Sequence, residues 1–129
     1  MRERGDACAE ECDQSAAIDR AARIDARVDA MAENGLFEEV AALLAGGVPP
    51  DCTAMQAIGY KEAVAAVRGE ASPQDAVAAI QLASRRYAKR QLTWLRRDPD
   101  LFWIRHEKTP DMDRACRLST QFLSGRGIE

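Results

Sequence analysis

The stretch SPQDAVAAIQLASRRYAKRQLTWLRRDP, Ser72 to Pro99, decides the fold. Ser72 is a good helix N-cap, Pro73 suits the first helical position, and Asp75 sets a negative charge at the positive helix end. Pro99 forbids continuation, so the spacing predicts one long helix over Pro73–Arg96. At about 100° per residue, Arg86, Lys89, Arg90, Thr93 and Arg97 share one stripe. Val77, Ile80, Tyr87, Ala88, Leu92, Trp94 and Leu95 occupy a broad opposite arc. Gln91 also falls in that arc, where a buried amide needs hydrogen-bond partners. On this placement Trp94 is expected in the core, with base stacking as the alternative.

Charge sharpens the reading. Between Asp75 and Asp98 there is no acid, but there are Arg85, Arg86, Lys89, Arg90, Arg96 and Arg97. The net charge is −3, so this +6 segment leaves the remainder at −9. Like charges one helical turn apart repel by about 0.2–0.5 kcal/mol per pair. Two readings stand: a solvated cationic face, or cations tracking a phosphate backbone, with Gln91 reaching a base edge.

Working outward, composition is that of an ordinary soluble, Ala- and Arg-rich helical chain, 47% apolar and 30% charged over 129 residues. Residues 1–14 read as a polar N-terminal arm whose composition favours disorder. A helix is expected from Ser15, ended at Asn34-Gly35 by a left-handed glycine. A second follows over Leu36–Leu44. Thr53 could cap a third through AMQAIGYKEAVAAVRG. Gly59 inside it signals a close backbone approach, a kink, or a helix that begins only there. Leu101–Arg105, LFWIR, is the one strand candidate. A final helix is expected over Pro110–Leu123, with 126–129 as a fraying tail. Cys8, Cys12, Cys52 and Cys116 lack zinc-ligand spacing and read as reduced thiols. With no long apolar run and no signal peptide, a cytoplasmic protein without membrane contact is expected.

Four segments in order resemble the tRNA dimethylallyltransferases (tRNA isopentenyltransferases). They are RIDARVDAMAENGLFEEVAALL (Arg23–Leu44), AIGYKE (Ala57–Glu62), ASPQDAVAAIQLASRRYAKRQLTW, and the overlapping YAKRQLTWLRRDPDLFWI. The resemblance implies transfer of a dimethylallyl group from dimethylallyl diphosphate to the exocyclic amine of the adenosine 3′ to the anticodon. It implies a P-loop-kinase-like, nucleotide- and ATP-binding α/β transferase, of which this mainly α chain is the C-terminal helical portion (15–125). Mg²⁺ belongs to the diphosphate in the complete enzyme, with none bound by residues of this chain.

The same resemblance puts Arg27, and secondly Arg23, on the diphosphate. It puts Met55, Gln56, Ala57, Ile58, Gly59, Tyr60 and Lys61 toward tRNA. From the long helix it adds Arg86, Lys89, Arg90, Gln91, Thr93, Trp94, Arg96 and Arg97. The phosphate loop G-x-x-x-x-G-K-[ST] and the family's acidic general base are absent, so no catalytic residue is assigned and no prenyl transfer by this chain alone is expected. The chain reads either as the product of a truncated or split gene or as an excised piece, and a separate N-terminal half supplied in trans could complement it. The alternatives are a non-catalytic helical RNA-binding module and a helical protein-interaction domain.

Overall fold

The computed structural model describes residues 6–106 and 109–127. The chain divides into two units, Met1–Arg90 and Gln91–Glu129. Among the described residues, the regular elements are helical: α1 (Asp6–Glu33), α2 (Leu36–Ala45), a 3₁₀ turn (Thr53–Gln56), α3 (Tyr60–Val67), α4 (Pro73–Leu95) and α5 (Met112–Gly125). None of the described helices is long and apolar enough to cross a membrane.

α1 starts at Asp6, earlier than the expected Ser15. The residues between are rich in Ala and Glu and contain neither Gly nor Pro, so nothing in them stops a helix. Gly35 ends it as expected, at φ 99° and ψ 25°, and the same residue opens α2. That left-handed pivot folds α2 back with Leu36 and Val40 inward.

The core belongs to the first unit. It joins Val28 of α1, Leu36 and Val40 of α2, Met55 of the 3₁₀ turn, Ala63 and Val64 of α3, and Ile80 of α4. Val40, Met55 and Ile80 are the largest fully buried side chains, and burying each contributes about 1.5–3 kcal/mol. Phe37, Leu43, Leu44, Val48 and Val77 close around them.

α4 begins as its sequence requires. The Ser72 hydroxyl accepts from the Asp75 backbone N–H at 3.1 Å and donates to the Asp75 carboxylate at 2.7 Å. The helix closes at Leu95, and the Arg97 N–H bonds the Trp94 carbonyl at 3.1 Å in a terminal turn.

The second unit corrects one expectation. Leu101–Arg105 forms no strand. A strand needs a neighbour for its N–H and C=O groups, and no strand exists among the described residues to supply a ladder. The segment instead makes contacts to α5 (Met112–Gly125). Phe102 stacks on Phe122 of α5 at 4.7 Å between ring centroids and 12° between planes. The Arg105 carbonyl accepts from Arg114 Nη1 at 2.7 Å. α5 is capped by the Asp111 carboxylate, which accepts from the Arg114 N–H at 2.8 Å, so it starts at Met112 and not at Pro110. Of the expected tail, the Arg126 guanidinium lies over Phe122, 4.6 Å from its centroid, while residues 128 and 129 lie outside the described residues.

Candidate nucleic-acid interface

Burial fixes which side of α4 faces inward. Ala76 and Ile80 are buried, whereas Arg86, Lys89, Arg90 and Thr93 are exposed on the other side. Arg96 and Arg97, in the turn beyond, are exposed too. Arg90 lies over the Tyr87 ring, 5.7 Å from its centroid. Such a cation–π contact holds the guanidinium direction while leaving its N–H groups for an anion. Arg85 departs from the expected cationic set. Its guanidinium pairs with Asp25 of α1.

The buried side of α4 is narrower than the apolar arc expected from the sequence. Gln91 is exposed, and so needs no buried partner. Trp94 is 70% exposed and Tyr87 49%, against the expectation of a core tryptophan. The buried residues of α4, Ala76 and Ile80, both lie in its N-terminal half, where α1, α2 and α3 supply core partners. Further along, only Leu92 and Leu95 of the arc are even half-buried in the second unit. An exposed indole is what a base-stacking role requires.

The turn before α3 resolves the Gly59 question: the helix begins there. Gly59 has φ 104° and ψ −53°, a conformation side-chain-bearing residues rarely adopt. Its N–H donates to Glu62 Oε2 at 2.8 Å, the return half of a capping box. Gln56, Ala57, Ile58 and Lys61 are exposed around it, and Gln56 Nε2 donates to the Pro50 carbonyl at 3.2 Å. Met55 is only 1% exposed and serves the core. The Tyr60 hydroxyl, on a half-buried side chain, donates to Glu39 of α2. That contact and the Glu39 charge hold the Tyr60 pKa above 10.0.

Arg23 and Arg27 are both exposed on α1, one turn apart. Arg27 lies two residues from Asp25 and from Asp29, about 200° round the helix. Those aspartates bind α4, so the arginine pair faces away from it. The structure brings Arg23 and Arg27 to one face but does not bring them to the α4 stripe. Among the described residues, no group of three or more His, Cys, Asp or Glu converges to hold a metal.

Sequence reasoning missed Asp25, Gln81 and Glu39. The i, i+4 spacing of Asp25 and Asp29, matched by Gln81 and Arg85, was a usable signal for the first two. Nothing local marks Glu39, which suits a helix start without any partner.

Comparisons with known proteins agree on one family. The model for IPP transferase matches residues 13–98. The tRNA dimethylallyltransferase 1 of Trichlorobacter lovleyi is 51% identical over 82 residues, 64% of this chain and 27% of that protein. The tRNA dimethylallyltransferase of Geobacter sulfurreducens is 48% identical over 101 residues, 78% of this chain and 32% of that protein. Among solved structures, the full-length tRNA isopentenylpyrophosphate transferase of Bacillus halodurans superposes with a TM-score of 0.72 at 37% identity, covering 81% of this chain and 34% of the other. The tRNA delta(2)-isopentenylpyrophosphate transferase of Staphylococcus epidermidis gives 0.74 at 37% identity, covering 84% and 35%. This chain spans about a third of the length of the curated relatives it matches.

Proposed function

This chain belongs to the IPP transferase family, and from that premise we propose that it supplies the tRNA-binding part of a tRNA dimethylallyltransferase. The complete enzyme is a P-loop-kinase-like α/β transferase working in the cytoplasm, and this chain is its C-terminal helical portion. In the reaction, the exocyclic amine of the adenosine 3′ to the anticodon forms a C–N bond to the dimethylallyl group. The C–O bond to diphosphate breaks, the amine loses a proton, and diphosphate leaves.

Residues of this chain bind and orient. Arg86, Arg90 and Arg97, with Lys89 and Arg96, meet phosphates along the RNA. Trp94 stacks on an unpaired base, and Gln91 and Thr93 hydrogen-bond beside it. The Ala57–Lys61 turn gives a second RNA contact. Arg27, seconded by Arg23, offers the diphosphate two parallel N–H donors, the geometry that best stabilises such a leaving group. Mg²⁺ would sit on the diphosphate in the complete enzyme, where it would neutralise the charge of the leaving group.

The observation that carries this reading is the exposed cationic side of α4. The chain spans about a third of its relatives' length, so prenyl transfer itself is assigned to the complete enzyme. Filter binding tests it: Arg86→Ala with Arg90→Ala should weaken binding to all tRNAs alike. No loss would point to an acidic protein partner for the stripe. Adding a separately expressed N-terminal half and dimethylallyl diphosphate should restore prenylation; no product at any ratio, with tRNA binding intact, would leave a non-catalytic RNA-binding module.

A further inference from the structure

The Gly59–Tyr60 pair is held from two directions by carboxylates. Glu62, within α3, accepts from the Gly59 N–H at 2.8 Å. Glu39, from α2 and 21 residues earlier, accepts from the hydroxyl of the next residue, Tyr60. The first contact fixes the backbone entering α3. The second ties the turn to a different helix, itself anchored by the buried Leu36 and Val40. Between these supports, Ile58 is 42% exposed and Lys61 is exposed. Glu39 itself is exposed and pairs with no cation among the described residues.

A bare carboxylate beside an RNA-facing turn opposes binding, because it repels phosphate. Its contact with Tyr60 offers a use that offsets this repulsion. We propose that Glu39 is a positioning residue: it accepts the Tyr60 hydrogen bond and so fixes the Gly59–Lys61 turn in the orientation that meets tRNA. The RNA role rests on the preceding functional reading; the mechanical role does not. Glu39 touches no substrate and acts only through Tyr60.

Four variants of the full chain test this: Glu39→Ala, Glu39→Gln, Tyr60→Phe and the double Glu39→Ala/Tyr60→Phe. Two quantities are read, hydrogen exchange of the 57–61 amides and tRNA affinity at fixed salt. Glu39→Ala and Tyr60→Phe should each speed exchange and weaken tRNA binding by roughly 3- to 10-fold, the scale of one hydrogen bond. Glu39→Gln keeps an acceptor and should restore both to within about 2-fold. The double variant should be no weaker than either single one, because both remove the same link.

Three results overturn the proposal. Tighter binding in both Glu39→Ala and Glu39→Gln would make the residue a bare charge. Additive losses would make the two residues independent. Unchanged exchange would show that Glu39 does not hold the turn. Failure of the unsubstituted chain to bind tRNA would instead sink the functional reading, and the exchange pattern would still decide the positioning role.

Discussion

Asp25 of α1 pairs with Arg85 of α4, and one turn later in α1 Asp29 accepts from Gln81, one turn earlier in α4. Gln81 Nε2 reaches Asp29 Oδ1 at 2.8 Å and also the Asp25 carbonyl at 3.3 Å. The two contacts advance in opposite senses, so α1 and α4 run antiparallel where they meet. A register shift by one turn would break both. The pairing also commits Arg85, one of the six cations of the Arg85–Arg97 segment, to the fold.

Asp25→Ala and Arg85→Ala should each destabilise the chain modestly. The paired side chains remain 36% and 35% exposed, so solvent screens the contact and the loss should be about 0.5–1 kcal/mol. Urea denaturation of both singles and the double should show a non-additive cycle. Arg85→Ala should leave tRNA affinity within about 2-fold, whereas Arg86→Ala next to it should weaken binding and flatten the salt dependence.

Gly59→Ala isolates backbone strain. A Cβ there would meet nothing within 4 Å, so the cost is torsional, from φ 104°. It should be about 1–3 kcal/mol, read as a lower urea midpoint at unchanged slope.

Met55 and Trp94 should respond in opposite ways. Met55→Ala empties a site only 1% exposed and should cost about 2–5 kcal/mol of stability, while Met55→Leu should cost less than about 1.5 kcal/mol. Trp94→Ala, at 70% exposure, should change stability by no more than about 0.5 kcal/mol and yet weaken tRNA binding. Denaturation and filter binding on the same preparations check the contrast.

The Tyr60 hydroxyl should titrate above 10.0, because Glu39 accepts its proton and opposes a second negative charge. A folded-state pKa raised above the unfolded value gives stability fully present below pH 10 and lost as pH rises through the folded pKa. In a Tyr87→Phe background Tyr60 is the one remaining tyrosine. Its phenolate absorbance should appear at lower pH when Glu39→Gln is added.

Much of this was legible in local sequence. Ser72, Pro73 and Asp75 set the start of α4, and Gly35 the break between α1 and α2, because caps and left-handed turns depend on a few adjacent residues. Gly59 flagged its turn for the same reason. What failed depended on distant partners. Leu101–Arg105 has strand composition, but a strand exists only with a neighbour. Trp94 and Gln91 lie on an amphipathic arc whose inner half alone meets a core. Arg85 looked like its cationic neighbours until Asp25, 60 residues away, claimed it. The exposed cations Arg86 and Arg90 lie one turn apart on α4, a placement that sequence spacing alone predicts.

The decisive measurement is tRNA affinity over a salt series, with the unsubstituted chain beside Arg86→Ala/Arg90→Ala. Three to five phosphate contacts along α4 give log K falling with log salt at a slope of about −2 to −4, and the double variant should be shallower by about 1.5. A slope near zero, or one the two substitutions leave unchanged, would contradict an RNA-gripping α4.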